Sequence, residues 1–116
     1  MDSNTRACIA YIAAKLISGS GSSSIYDYSR SKHINISGSV SESSVNIYDH
    51  DRGCHVGGNP SNLYDYGRSA HVSLSINGNQ FNGYDYGDSC HYSGTVNGNS
   101  VSVYDHGESK HFNYSV

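Results

Sequence analysis

Residues 84–91 read Tyr84-Asp85-Tyr86-Gly87-Asp88-Ser89-Cys90-His91. The same pattern, Tyr-Asp-(Tyr/His)-x-x-(Ser/Gly)-x-His, occurs five times between residues 26 and 111. The copies start at Tyr26, Tyr48, Tyr64, Tyr84 and Tyr104, and each is followed at once by Asp27, Asp49, Asp65, Asp85 or Asp105. The third position is Tyr28, His50, Tyr66, Tyr86 or His106, and the unit closes on His33, His55, His71, His91 or His111. Starts lie 22, 16, 20 and 20 residues apart. Self-similarity at this period marks a repeat architecture.

The flanks of the unit set its secondary structure. Ile34 and Ile36, then Val72, Leu74 and Ile76, then Tyr92 and Val96, then Phe112, Tyr114 and Val116 follow the histidines at period two. Val45 and Ile47, and Val101 and Val103, precede the tyrosines in the same way. Alternation of this kind belongs to half-buried strands. The first Tyr, the third-position ring and the His then share the opposite face. Parity turns each Asp inward, at a strand end beside a turn. There its carboxylate can accept backbone N–H bonds from the following residues, so the five aspartates are expected to form turns rather than do chemistry. Asn77-Gly78 and Asn97-Gly98 between alternating residues are hairpin signals.

The expected fold is an all-β repeat protein of five two-strand repeats of about 20 residues, with an N-terminal capping α-helix. Two arrangements compete, an antiparallel hairpin meander and a β-solenoid. The distances from each repeat His to the next Tyr are 15, 9, 13 and 13 residues and differ by even numbers. Even steps trim hairpin tips without changing which side chains face in. Whole ladders of Tyr, Asp and His favour the solenoid. In period and aromatic content the array resembles the hairpin repeats of bacterial cell-wall-binding modules, although it has no Trp.

Residues 1–24 comprise the helix and a Gly/Ser-rich connection, and residues 25–116 the array. Residues 3–18 carry helix-favouring Ala7, Ala10, Ala13 and Ala14, with Ile9, Ile12, Leu16 and Ile17 as an apolar face. Ser3, Asn4 or Thr5 can cap the start, and Gly19 and Gly21 end it. Only Arg6 and Lys15 are charged, so most of the helix should be buried, covering one open end of the array. The apolar run is too short to span a bilayer and makes a poor signal peptide.

Charged residues are 15% of the 116-residue chain and its formal net charge is −3. No run of Lys or Arg is present, so nucleic acid is not an expected partner. The three cysteines, Cys8, Cys54 and Cys90, do not form a closed disulfide framework. Free thiols point to a reducing, cytoplasmic location. No dinucleotide, Walker or nucleophile-elbow motif occurs, and five equal units do not read as one active site.

The expected function is therefore a non-enzymatic scaffold that acts through its surface. It would self-associate through the strand edge at His111–Val116, or dock a protein or glycan on the Tyr/His face. That face comprises the five first tyrosines, the five third-position rings and the five repeat histidines. The alternative is a metal- or small-molecule-binding module. Its ligands would be Asp49, His50 and His55, and Asp105, His106 and His111, because each set brings N and O donors together across a turn. An enzyme sited at the helix–repeat junction near Cys8 and Tyr11 is the remaining reading. No cofactor is implied.

Overall fold

The computed structural model describes residues 1–19 and 23–116. Ser20, Gly21 and Ser22, in the expected Gly/Ser-rich connection, lie outside the described residues, and with them the Gly21 stop signal. Helix α1 spans Ser3–Ser18. Ten strands follow: β1 Ser24–Asp27, β2 Lys32–Val40, β3 Val45–Asp49, β4 Cys54–Asn59, β5 Asn62–Asp65, β6 Ala70–Asn77, β7 Gln80–Asp85, β8 Cys90–Asn97, β9 Ser100–Asp105 and β10 Lys110–Ser115.

Each strand pairs antiparallel with its chain neighbours, and β10 pairs with β1, so the meander closes into a barrel. Closure overturns the solenoid. A parallel solenoid stacks like on like, whereas here Tyr48 pairs with its own His55 and Tyr84 with its own His91. Closure also takes up the strand edge through which self-association was expected. The strand ending at Ser115 is taken up by β1 through Tyr26↔Ser115 and Asp27↔Tyr114, and a closed barrel presents no free edge.

The helix does not cap an end. Ala7 through Ala14 are at most 2% exposed on every face, and α1 touches strands from all round the wall, among them β1, β3, β6 and β9. A helix that is apolar all round is a buried one; this one fills the lumen. The start is capped by Asp2, whose carboxylate accepts from the N–H groups of Asn4 and Thr5 at 3.1 Å. Of the residues expected to cap it, Asn4 and Thr5 are turned to other partners. Gly19 ends the helix in the left-handed region (φ 67°), donating to the Lys15 carbonyl at 3.1 Å.

The wall faces the helix with the alternating set expected from the sequence: Ile34, Ile36, Val45, Ile47, Val72, Leu74, Val101 and Val103 are buried. Inward glycines admit the rings of Phe81 and Tyr92. A Cβ on Gly94 would lie 2.3 Å from the Phe81 ring, and one on Gly83 would lie 2.5 Å from the Tyr92 hydroxyl. Ile76 departs from the pattern at 37% exposure. The nine-residue spacing from His55 to Tyr64 makes the β4–β5 hairpin short. It turns at Pro60-Ser61, and the Pro60 carbonyl accepts from Leu74 N–H at 2.9 Å. The wall beyond that level leaves Ile76 uncovered. The Asn-Gly hairpins also turn one residue later than expected, because Asn77 pairs with Gln80 and leaves Gly78-Asn79 as the loop. Gly78 at φ 63° supplies the left-handed first loop residue.

Candidate functional site

The repeat unit forms the turn at one end of the barrel in all five copies, since every unit begins on an odd-numbered strand and ends on the next. Its sixth residue is left-handed each time: Ser31, Gly53, Ser69, Ser89 and Ser109 have φ between 49° and 72°. A small residue recurs there because a bulky or branched one is strained in that region.

Every Asp of the unit is fully buried, and one carboxylate oxygen accepts a backbone N–H two residues on, from Ser29, Asp51, Gly67, Gly87 or Gly107, at 2.9 Å. This is the expected Asx turn. The second oxygen has a role the sequence reading missed. The five carboxylates end parallel strands and so form a ring at one mouth of the barrel, around the N-terminus of α1. In copies one to three the fifth residue of the unit is an arginine. Arg30 lies 2.7 Å from Asp27, Arg52 lies 2.7 Å from Asp49 and 3.0 Å from Asp65, and Arg68 lies 2.9 Å from Asp85.

In copies four and five that residue is acidic, Asp88 or Glu108; Asp85 is met by Arg68 of copy three, and Asp105 takes its cations from the N-terminal segment, Arg6 and the Met1 ammonium, the latter at 3.2 Å. Arg6, 2% exposed, lies 3.0 Å from both Asp105 and Glu108, donates to the Tyr114 hydroxyl at 3.0 Å and sits 3.3 Å over the Phe112 ring. Asn4 donates to Asp49 and Asp51 at 3.0 and 2.9 Å, and the Thr5 hydroxyl donates to Asp65. The positive end of the helix dipole points the same way. Asp85 is the least supplied member; its second oxygen is buried with no hydrogen-bond partner among the described residues.

Burial opposes the charge of Asp27, but hydrogen bonds from Ser29 and Arg30 outweigh it and hold its carboxyl below the usual range. Burial likewise opposes the charge of Arg6, and Tyr114 and Asp105 outweigh it. Burial, reinforced by Asp49, pushes the Cys8 thiol well up.

The outer face carries the rings. Each first Tyr meets its third-position ring and its own His edge-on, with centroids 4.6–4.9 Å apart. All seven histidines are exposed, and Tyr28, Tyr66 and Tyr86 are 59–62% exposed. The expected strip is a belt: five separate ring clusters run around a convex wall, two strand spacings (roughly 9.6 Å) per copy. On its other side each first Tyr faces a small residue of the neighbouring copy: Ser115, Ser37, Gly57, Ser73 and Ser93 stand opposite Tyr26, Tyr48, Tyr64, Tyr84 and Tyr104. Shallow grooves open there. One of about 550 Å³ lies between Tyr84 and His91 of copy four and His106 of copy five, and one of about 400 Å³ lies between His55 and Tyr66.

The metal candidates are not brought together. Asp49 and Asp105 point into the lumen, while His50, His55, His106 and His111 lie outside the wall. No group of three or more His, Cys, Asp or Glu among the described residues could hold a metal ion. Cys8 and Tyr11 are sealed against the barrel wall at 0% and 2% exposure. The three cysteines are free; Cys54 on β4 and Cys90 on β8 have three strands between them. No described helix is long and apolar enough to cross a membrane.

No protein-family model matches the chain, and no curated protein or solved structure matches it.

Proposed function

We propose that this protein is a non-enzymatic binding module whose aromatic belt docks a glycan. The observation that carries the reading is the repeated groove, with rings as walls, glycine and serine backbone as floor, and exposed imidazole, phenol and hydroxyl groups at the edges. Rings offer flat apolar contact at little entropic cost, and the polar groups provide directional hydrogen bonds. Grooves recurring around one barrel also suit a repeating ligand, because engaging a second groove raises avidity without a new kind of contact. The aspartates are withdrawn from this role by their burial. Burial of Cys8 and Cys90 protects those thiols in any compartment, which loosens the inference from free cysteines to the cytoplasm.

Screening against immobilised glycans tests the reading. Binding should be lost, with the melting temperature nearly unchanged, in Tyr66→Ala and Tyr86→Ala. Binding that survives both substitutions would reject it.

A second reading, a small-molecule site, has one observation in its favour. The short β4–β5 hairpin leaves a notch of about 480 Å³ at the opposite mouth, lined by Leu16, Pro60, Leu74 and Ile76 with Glu42 at its rim. Saturable small-ligand binding indifferent to Tyr66 and Tyr86 would favour it.

A further inference from the structure

We infer that the belt's ligand is an uncharged, linear oligosaccharide that lies across the strands, one end against a first Tyr and its body along a row of amide and hydroxyl side chains. The inference rests on the glycan reading and adds to it the charge, direction and length of the ligand. It comes from the strand registers. On the outer face of copy three, Ser39, Asn46, Gly57, Tyr64 and His71 stand opposite one another on five neighbouring strands. The Tyr86 N–H donates to the His71 carbonyl at 3.0 Å, so the exposed Tyr86 closes that row. Copy five repeats the order in Ser75, Asn82, Ser93, Tyr104 and His111. Copy one repeats it across the closure of the barrel, in Asn97, Ser100, Ser115, Tyr26 and His33. Each row reads two polar side chains, a small residue, a Tyr and a His.

Grooves follow two of these rows. One of about 320 Å³ is lined by Asn82, Ser93, Tyr104 and His111, and the one of about 400 Å³ includes Asn46, Gly57 and Tyr66. Gly57 and Ser93 leave room beside the first Tyr for a pyranose, whose apolar face suits an aromatic ring. The polar positions then lie under the sugars that follow. Amides and hydroxyls both donate and accept hydrogen bonds, as sugar hydroxyls do, whereas carboxylates only accept and ammonium groups only donate. Four strand spacings of about 4.8 Å make a row roughly 19 Å long, and a pyranose in an extended chain is about as long as one spacing, so a row takes about four sugars.

The charge pattern chooses among glycans. The outward positions of the ten strands hold Ser, Thr, Asn, Gln, Gly, Tyr and His, and none among the described residues holds Asp, Glu, Lys or Arg. Charge stands at the mouths instead. Asp51, Asp88 and Glu108 lie in the repeat turns, Glu42 lies between β2 and β3, and Lys32 and Lys110 open their strands opposite Asp27 and Asp105. A charged ligand laid along a row would give up hydration and gain no counter-ion. Nucleic acid meets that objection at every phosphate.

The test is calorimetric titration of the whole chain with neutral oligomers of N-acetylglucosamine and of galactose, from disaccharide to hexasaccharide, beside their charged counterparts, oligoglucosamine and oligogalacturonate. A neutral series should tighten about ten-fold from disaccharide to tetrasaccharide, as one or two further hydrogen bonds form, and stay level beyond it. The charged oligomers should bind about ten-fold more weakly than neutral ones of equal length. Asn46→Ala, Asn82→Ala and Ser100→Ala together should abolish the gain with length. All three side chains are exposed, so disaccharide binding and the melting temperature should stay in place. A charged glycan bound as tightly as its neutral counterpart, in the titrations or in the screen, would overturn this inference and leave the glycan reading standing. So would a length dependence that survives the triple substitution. No glycan bound in either experiment would overturn both.

Discussion

The inner and outer faces of the barrel wall are built from the same eight-residue unit, yet they follow different rules. Inside, the copies are unequal. Arg30, Arg52 and Arg68 neutralise the aspartates of copies one to four, Arg68 reaching across to Asp85, while Asp105 of copy five depends on Arg6 and the Met1 ammonium. Outside, the copies are alike: the same ring contacts recur five times within a few tenths of an ångström. The difference separates assembly from recognition. An uneven ring admits α1 in one rotation and one depth, because the ring aspartate of copy five alone takes its cations from the N-terminal segment. An even belt presents one surface repeatedly.

The sharpest way to break the comparison is to remove the helix's cation. Arg6→Met should cost about 3 kcal/mol, since buried Asp105 keeps only the Met1 ammonium as a cation and the Tyr114 hydroxyl loses its partner; urea unfolding would measure the loss. Arg30→Met should cost less, because Asp27 keeps its Ser29 hydroxyl and backbone donors. Equal losses would show that copies one and five do not differ in the way described.

Acid should act on the inner face next. Asp27 is held below the usual carboxylate range in the folded chain, so the unfolded chain binds its proton first as pH falls. The stability Asp27 contributes is therefore complete above about pH 4 and drains away as pH drops through its folded value. The urea midpoint should decline across that window, and less so in Asp27→Asn. The smallest effect belongs to the turn that joins the faces. Ser69 holds φ 53°, and Ser69→Gly should raise stability by about 0.5 kcal/mol by relieving the left-handed strain, a gain that thermal melts would register.

Much of the wall was legible in the sequence. Parity sorted Ile34, Ile36 and Val103 inward and His33 outward, and the recurring Asp and small residue read as turn chemistry, which the carboxylate bonds and left-handed φ values bear out. What was not legible depends on closure. That β10 meets β1 is a long-range event that no local pattern encodes, and once it occurs the helix becomes a lumen filler rather than an end cap. The alanine-rich, almost uncharged stretch from Ala7 to Ala14 signalled burial without saying where. The change from Arg30, Arg52 and Arg68 to Asp88 and Glu108 was visible as letters. It acquires meaning only when Arg6 is seen beside Asp105. The serines and glycines opposite each Tyr were hidden for a related reason: they follow the repeat His by two residues in three copies and by four in the others, so they share no fixed position in the unit.

The division of labour between the two faces is tested most directly by following ring signals of the tyrosines and histidines by nuclear magnetic resonance while a glycan selected by the screen is added. The signals of Tyr66, Tyr86, His91 and His106 should move together and saturate, while those of the lumen rings Tyr92 and Tyr114 stay in place. Movement of Tyr92 and Tyr114 with the belt silent would contradict the account.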